Sequence, residues 1–133
     1  MQLVANDMCF ACGRKNPIGL RLEFALEGEE GVSELEIKAE YQGWAGLVHG
    51  GILATALDEV MARLLIAQGH QAVTAKLEVR FRKPVKVGER LRLRARLLQR
   101  RGRLIETDAQ AFTADGSLAA EAKAASLCLT SKT

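Results

Sequence analysis

WAGLVHGGILATALDEVMARLL, residues 44–65, changes character at its two adjacent glycines. Beyond them Leu53, Leu57, Val60, Met61 and Leu64 recur at i, i+4, i+7, i+8 and i+11, which is one face of an α-helix. The spacing predicts a helix from about Gly50 to Gln68, stopped by Gly69. Two features need a reason beyond packing. The helix starts on Gly50-Gly51, poor helix formers, and carries Asp58-Glu59 through its middle.

Outside this stretch the apolar period shortens to two. Ile18, Leu20, Leu22, Phe24 and Leu26 alternate with Gly19, Arg21, Glu23 and Ala25, which predicts a half-buried strand. The turn GEEG at 28–31 leads to a second strand over 32–39, with Leu35, Ile37 and Ala39 inward. After the helix, Val73, Ala75, Leu77, Val79 and Phe81 face one side, and Lys76, Glu78, Arg80 and Arg82 the other, until Pro84 ends the pairing. Over 89–97 Leu91, Leu93, Ala95 and Leu97 oppose Arg90, Arg92, Arg94 and Arg96. Gly102 turns that strand into 104–112, and Asp115-Gly116 turns again into LAAEAKAASLCL. Its alanines suit helix as readily as strand, but its place after a hairpin turn favours strand. One apolar helix and one one-sided sheet imply an α+β fold: a long central helix wrapped by a six-stranded antiparallel sheet.

A chain of 133 residues is expected to form one domain with one core, and 48% hydrophobic with 26% charged residues is globular composition. No apolar run approaches the roughly 20 residues of a membrane span. The start MQLVANDMCF lacks a basic and apolar leader, so no secretory signal is expected. Three cysteines, an odd number, fit reduced thiols in a cytoplasmic protein. Net charge is only +3, yet residues 76–103 are strongly basic. Such a run attracts a polyanion or the phosphates of a nucleotide-like cofactor, unless its arginines are simply the wet side of strands. Stacking aromatics are missing from the arginine strand, so nucleic acid is not an expected partner, and neither is a membrane.

The two acidic residues separate by helix face. Glu59 precedes Arg63 by four residues, the favourable order for a surface ion pair. Asp58 has no such partner. Its helical neighbours are Gly51, Ala54, Thr55, Ala62 and Leu65, a mostly small stripe that lets another backbone approach. The glycines expose free N–H groups at a helix N-terminus, where a carbonyl or phosphate oxygen can come close, and His49 just ahead can cap or orient.

The stretch VHGGILATALDE resembles the signature of hotdog-fold acyl-CoA thioesterases of the PaaI-like family. In that family a His-Gly-Gly opens the central helix and an acidic residue follows nine positions after the histidine, the spacing of His49 and Asp58. The likeness extends through NPIGL, YQGWAGLVHGG and VTAKLEVRFRKPVKVGE. It implies hydrolysis of an acyl-CoA to free acid and CoA, without metal or other cofactor. Gly50 N–H would polarise the thioester carbonyl, with Gly51 and His49 beside it. Asp58 would activate water or attack directly, and Thr74 would hold the water or the carboxylate. Gln42 and Trp44 of the preceding loop would meet substrate, and Arg80, Arg82 and Lys83 would meet the CoA phosphates. The alternative within the fold is a binding protein that senses acyl-CoA without turnover; a dehydratase would need a His-acid arrangement that is not visible.

Helix rise adds a constraint. Asp58 lies about 12 Å along the axis from Gly50, whereas reacting atoms must come within about 3.5 Å. An antiparallel partner helix would bring its own Asp58 to this Gly50, so a homodimer with shared sites is expected, and relatives are often dimers of dimers. Cys9-x-x-Cys12 is half of a zinc set or a redox pair. Cys128 and His70 are the only spare Cys or His to complete four ligands, neither in a recognisable spacing. No metal is therefore expected, and residues 1–17 are read as an N-terminal extension.

Overall fold

The computed structural model describes residues 3–129. Its elements run β1 (Ala25–Glu27), β2 (Glu30–Glu36), a 3₁₀ turn (Ala39–Tyr41), α1 (Gly50–Ala67), β3 (Ala72–Phe81), β4 (Arg90–Arg101), β5 (Leu104–Thr113) and β6 (Leu118–Cys128). The strands form one antiparallel sheet in the order β1-β2-β4-β5-β6-β3, with α1 against one face. This is the α+β hotdog arrangement expected from the sequence.

The helix forms where its apolar period dictates. Leu53, Leu57, Val60, Met61 and Leu64 are all buried, joined by Ala56 and Leu65. They meet Leu91, Leu93 and Ala95 of β4 and the alanines 109, 111, 120, 122 and 124 of β5 and β6. Alanine on the sheet leaves room for leucine on the helix, and each buried leucine contributes about 1.5–3 kcal/mol. Gly69, at φ +88°, ends the helix where a side chain would be strained. The ambiguous alanine-rich segment is β6: sheet pairing on both edges decides what propensity leaves open.

The outer face of β4 answers the question raised by its arginines. Arg94 meets Glu30 at 2.6 Å, Arg96 holds Asp108 through two hydrogen bonds of 3.2 and 2.9 Å, and Arg90 lies 3.9 Å from Glu34. Acids on β2 and β5 thus stand across from these arginines as cross-strand pairs, and three of the row are committed to the fold.

Three expectations are corrected. Residues 18–24 do not form a strand: Arg21 takes a left-handed φ of +56°, and Leu20 and Leu22 donate their N–H groups to Phe10 and Ala11 carbonyls, both at 2.8 Å. The alternation there buries Leu22 against the core but leaves Ile18 and Leu26 exposed. Ala39 is not inward, because the chain has already turned into the 3₁₀ segment. In β3, Val73 and Ala75 do not share a face with Leu77, Val79 and Phe81. A register irregularity between Thr74 and Lys76 shifts the alternation by one. Thr74 then pairs with buried Ser126 on the helix side, as Leu77, Val79 and Phe81 pair with Ala124, Ala122 and Ala120.

Candidate active site

The site begins at the N-terminus of α1. His49 is the N-cap residue, and its Nδ1 accepts the N–H of Gly51 at 2.9 Å, which leaves the ring proton on Nε2. The His49 carbonyl takes the N–H groups of Ile52 and Leu53 at 3.0 and 3.1 Å. Gly50 N–H donates to no group among the described residues, so it is available to an incoming oxygen. A Cβ added to Gly50 would touch the Phe81 ring at 3.4 Å, so the ring stands beside this amide. Phe81 is 54% exposed. Its place at the site was hidden in the sequence, where it reads as one more inward strand residue.

The loop before the histidine is braced from within. Gln42 Oε1 accepts Gly46 N–H at 2.8 Å, and Gln42 and Val48 are bridged as a short antiparallel pair. His49 N–H donates to Tyr41 carbonyl at 2.9 Å and Val48 N–H to Val85 carbonyl at 2.8 Å, which tie the loop to its surroundings. Gln42 thereby shapes the loop, while Trp44 at its tip is 84% exposed.

Asp58 and Thr74 meet. Thr74 Oγ1 donates to Asp58 Oδ1 at 2.8 Å, a bond that exists because the β3 irregularity turns Thr74 toward the helix. The second carboxylate oxygen of Asp58 takes no hydrogen bond among the described residues. The pair can hold a water or a substrate group on the open side of the helix.

The basic candidates sit apart from Gly50. Arg80 and Arg82 alternate with Phe81 and so project from the opposite face of β3. Arg82 Nε is already bound to Glu121 at 2.6 Å, whereas Arg80 has no ion-pair partner among the described residues. Lys83 follows the strand and is partly buried, its N–H on the Ala119 carbonyl at 3.1 Å.

Glu59 is not paired with Arg63 as the helix spacing suggested. Its carboxylate instead lies with the thiols of Cys9 and Cys12, the three ligand atoms all within 4.8 Å of one another. Burial first, then the hydrogen bond and charge of Glu59, push the Cys12 thiol up to about 12. Cys128 packs with Leu65 and Ile105, and His70 lies 3.3 Å from Arg100 Nη1, so neither joins that group.

Comparison with known proteins identifies the family of the fold that carries these residues. Residues 45–120, more than half of the chain and the span that holds His49, Gly50, Asp58 and Thr74, match the thioesterase superfamily. Human acyl-coenzyme A thioesterase 13 is 29% identical over 70 residues, which are 51% of this chain and 50% of that protein. A solved thioesterase superfamily protein superposes with a TM-score of 0.85 at 27% identity, over 91% of this chain and 60% of its own. The fold is shared, at 19% identity each, by a Streptococcus mutans UA159 protein bound to acetyl-CoA and by the Escherichia coli PaaI protein from the phenylacetic acid degradation operon. Their TM-scores are 0.76 and 0.78, over 80% and 84% of this chain and 87% and 81% of theirs. The chain belongs to the thioesterase superfamily, with the hotdog fold of its PaaI-like members.

Proposed function

We propose that the protein hydrolyses an acyl-CoA thioester to the free acid and CoA, at a site built from two subunits. The observation that carries this reading is the pairing of two half-sites: an uncommitted Gly50 N–H at the α1 N-terminus and an Asp58 carboxylate held by Thr74. The amide and the helix dipole stabilise negative charge developing on the thioester oxygen. Asp58 takes the proton of an attacking water, or attacks the carbonyl itself to form an acyl-aspartyl anhydride that water hydrolyses to the free acid once CoA has left. The thiolate of CoA then leaves, taking up a proton. No metal or redox group enters these steps.

The two half-sites lie about 12 Å apart along one helix, so each needs a second copy. The edge strand β3 supports such an assembly. It is ten residues long, its backbone is unpaired on one side among the described residues, and Leu77 and Phe81 on its helix side are exposed. At the other edge β1 has only three residues. A long edge with apolar side chains is a pairing surface. Beside it runs the small-residue stripe of α1, Gly51, Ala54, Thr55 and Ala62, across which a partner helix approaches. A homodimer sharing β3 edges, or a dimer of such dimers, completes both sites.

The acetyl-CoA bound by the structural neighbour from S. mutans supports coenzyme A as the common part of the substrate. Exposed Arg80 supplies a phosphate contact beyond the edge of β3. A cytoplasmic location suits three free cysteines, and none of the described helices is long and apolar enough to cross a membrane. Short, medium, long and aromatic acyl-CoAs, each assayed for released thiol with Asp58→Asn as control, test the activity. Turnover of at least one class that Asp58→Asn abolishes supports it; no thiol release from any class refutes it.

A further inference from the structure

The geometry points to a divalent metal site, zinc by its ligand chemistry, formed by Cys9 Sγ, Cys12 Sγ and a carboxylate oxygen of Glu59. The three atoms lie within 4.8 Å of one another. Zinc–thiolate bonds of about 2.3 Å in a tetrahedron place two sulfurs about 3.8 Å apart, so small side-chain rotations suffice to close the set. Two thiolates with one carboxylate favour zinc over magnesium or calcium, which prefer all-oxygen shells. Among the described residues no fourth Cys, His, Asp or Glu joins them, which leaves one position for water.

The backbone around the cysteines has the form such a site needs. Gly13 N–H returns to the Cys9 carbonyl at 2.8 Å, closing residues 9–13 into one tight turn that carries both thiols. A Cβ at Gly13 would collide with the Asp7 carbonyl and the Cys9 amide, so the turn closes only with glycine after the second cysteine. The turn is fixed to the domain from outside the cluster. Leu20 and Leu22 donate to Phe10 and Ala11, and the Phe10 ring meets Tyr41 edge to face at 6.1 Å. The third ligand comes from α1, whose apolar face is buried against the sheet, so the cluster joins a turn near the N-terminus to the central helix.

Arg63 completes the charge balance. Two thiolates and a carboxylate exceed the charge of a divalent ion by one, and Arg63 lies one helical turn beyond Glu59 with Nη1 3.8 Å from Cys12 Sγ. A guanidinium donating to a metal-bound thiolate is the outer-shell contact such sites use. The same guanidinium sits over the Phe24 ring, 5.7 Å from its centroid, which holds it in place. This site is separate from the thioesterase reading and stands or falls without it.

The test is zinc binding by tag-free, fully reduced protein stripped with chelator, followed by titration with zinc alone and with cobalt(II) as an optical probe. The expected result is one zinc per chain and a near-ultraviolet thiolate-to-cobalt absorption. Cys9→Ser and Cys12→Ser should each abolish that absorption, Cys128→Ser should keep it, and Arg63→Ala should weaken affinity by about 10-fold or more. Zinc should raise the Tm of the wild type and not that of Cys12→Ser. If the cysteine variants fail to fold, Glu59→Gln decides: it keeps both thiols, and its zinc affinity should fall. The inference is overturned if the reduced wild type takes up no stoichiometric zinc, or if Glu59→Gln or the cysteine variants bind as well as wild type. It is also overturned if protein purified without reductant or chelator holds no zinc and carries a Cys9–Cys12 disulfide, seen as a loss of two hydrogens by mass.

Discussion

Thr74 Oγ1 donates to Asp58 Oδ1 across 2.8 Å, joining the middle of the central helix to an edge strand whose simple alternation would have turned Thr74 away. The hydroxyl orients one carboxylate oxygen, and the other, without a hydrogen bond among the described residues, is left to a proton or an electrophile. The chemistry proposed for this chain depends on that division of labour.

Asp58→Asn should keep the fold, since the amide oxygen still accepts from Thr74, and should lower thioester turnover by about two to four orders of magnitude. Steady-state thiol release beside a circular dichroism spectrum measures both. Full activity in a folded Asp58→Asn variant would remove the residue from the chemistry.

Thr74→Ala should cost about 10-fold in kcat, because Thr74 positions the carboxylate and does not itself attack. Thr74→Ser, which restores the hydroxyl, should recover most of the loss. Equal rates for alanine, serine and threonine would show that the bond is structural only.

The basic residues now separate. Arg80→Ala should raise KM for acyl-CoA several-fold with little change in kcat, whereas Arg82→Ala should do less because Glu121 already neutralises Arg82. Wild-type KM should also rise with salt as the phosphate contact is screened. A KM indifferent to salt and to both substitutions would return these residues to the wet face of the sheet.

Asp115 gives a pH-dependent stability test. The Thr113 hydroxyl at 2.5 Å and the Ser117 N–H at 2.9 Å hold its carboxyl well below the usual carboxylate range. A depressed native pKa stabilises the fold above the unfolded value of about 3.9, and the gain is lost as pH falls through the native value. Asp115→Asn should therefore lower Tm at pH 7, with the deficit shrinking below about pH 4. A deficit that grows on acidification would reverse the sign of the linkage.

How much of this was legible in the sequence follows from the range of the forces involved. Leu53, Leu57, Val60, Met61 and Leu64 announce the helix because one face does one job over its whole length. Gly50 and Asp58 stood out as residues that helix packing does not explain. Alternation misled where something non-local decides. Residues 18–24 alternate like a strand, yet their amides serve the turn at Phe10 and Ala11, and Arg21 breaks the extended backbone. The β3 irregularity leaves no compositional mark, so the resemblance, not periodicity, named Thr74. Glu59 had a plausible partner one helical turn away, and only tertiary folding brings Cys9 and Cys12 to it instead.

Subunit complementation tests the shared site most directly. Asp58→Ala lacks the acid and Gly50→Pro lacks the amide donor, and proline is tolerated in a first helical turn. Each homodimer should be nearly inactive. Unfolded together in equal amounts and refolded, about half of the dimers are mixed, and each mixed dimer holds one site with both lesions and one intact. Activity should return to about a quarter of wild type. If both variants fold, dimerise and exchange subunits, yet the mixture stays inactive, the site is built within one chain.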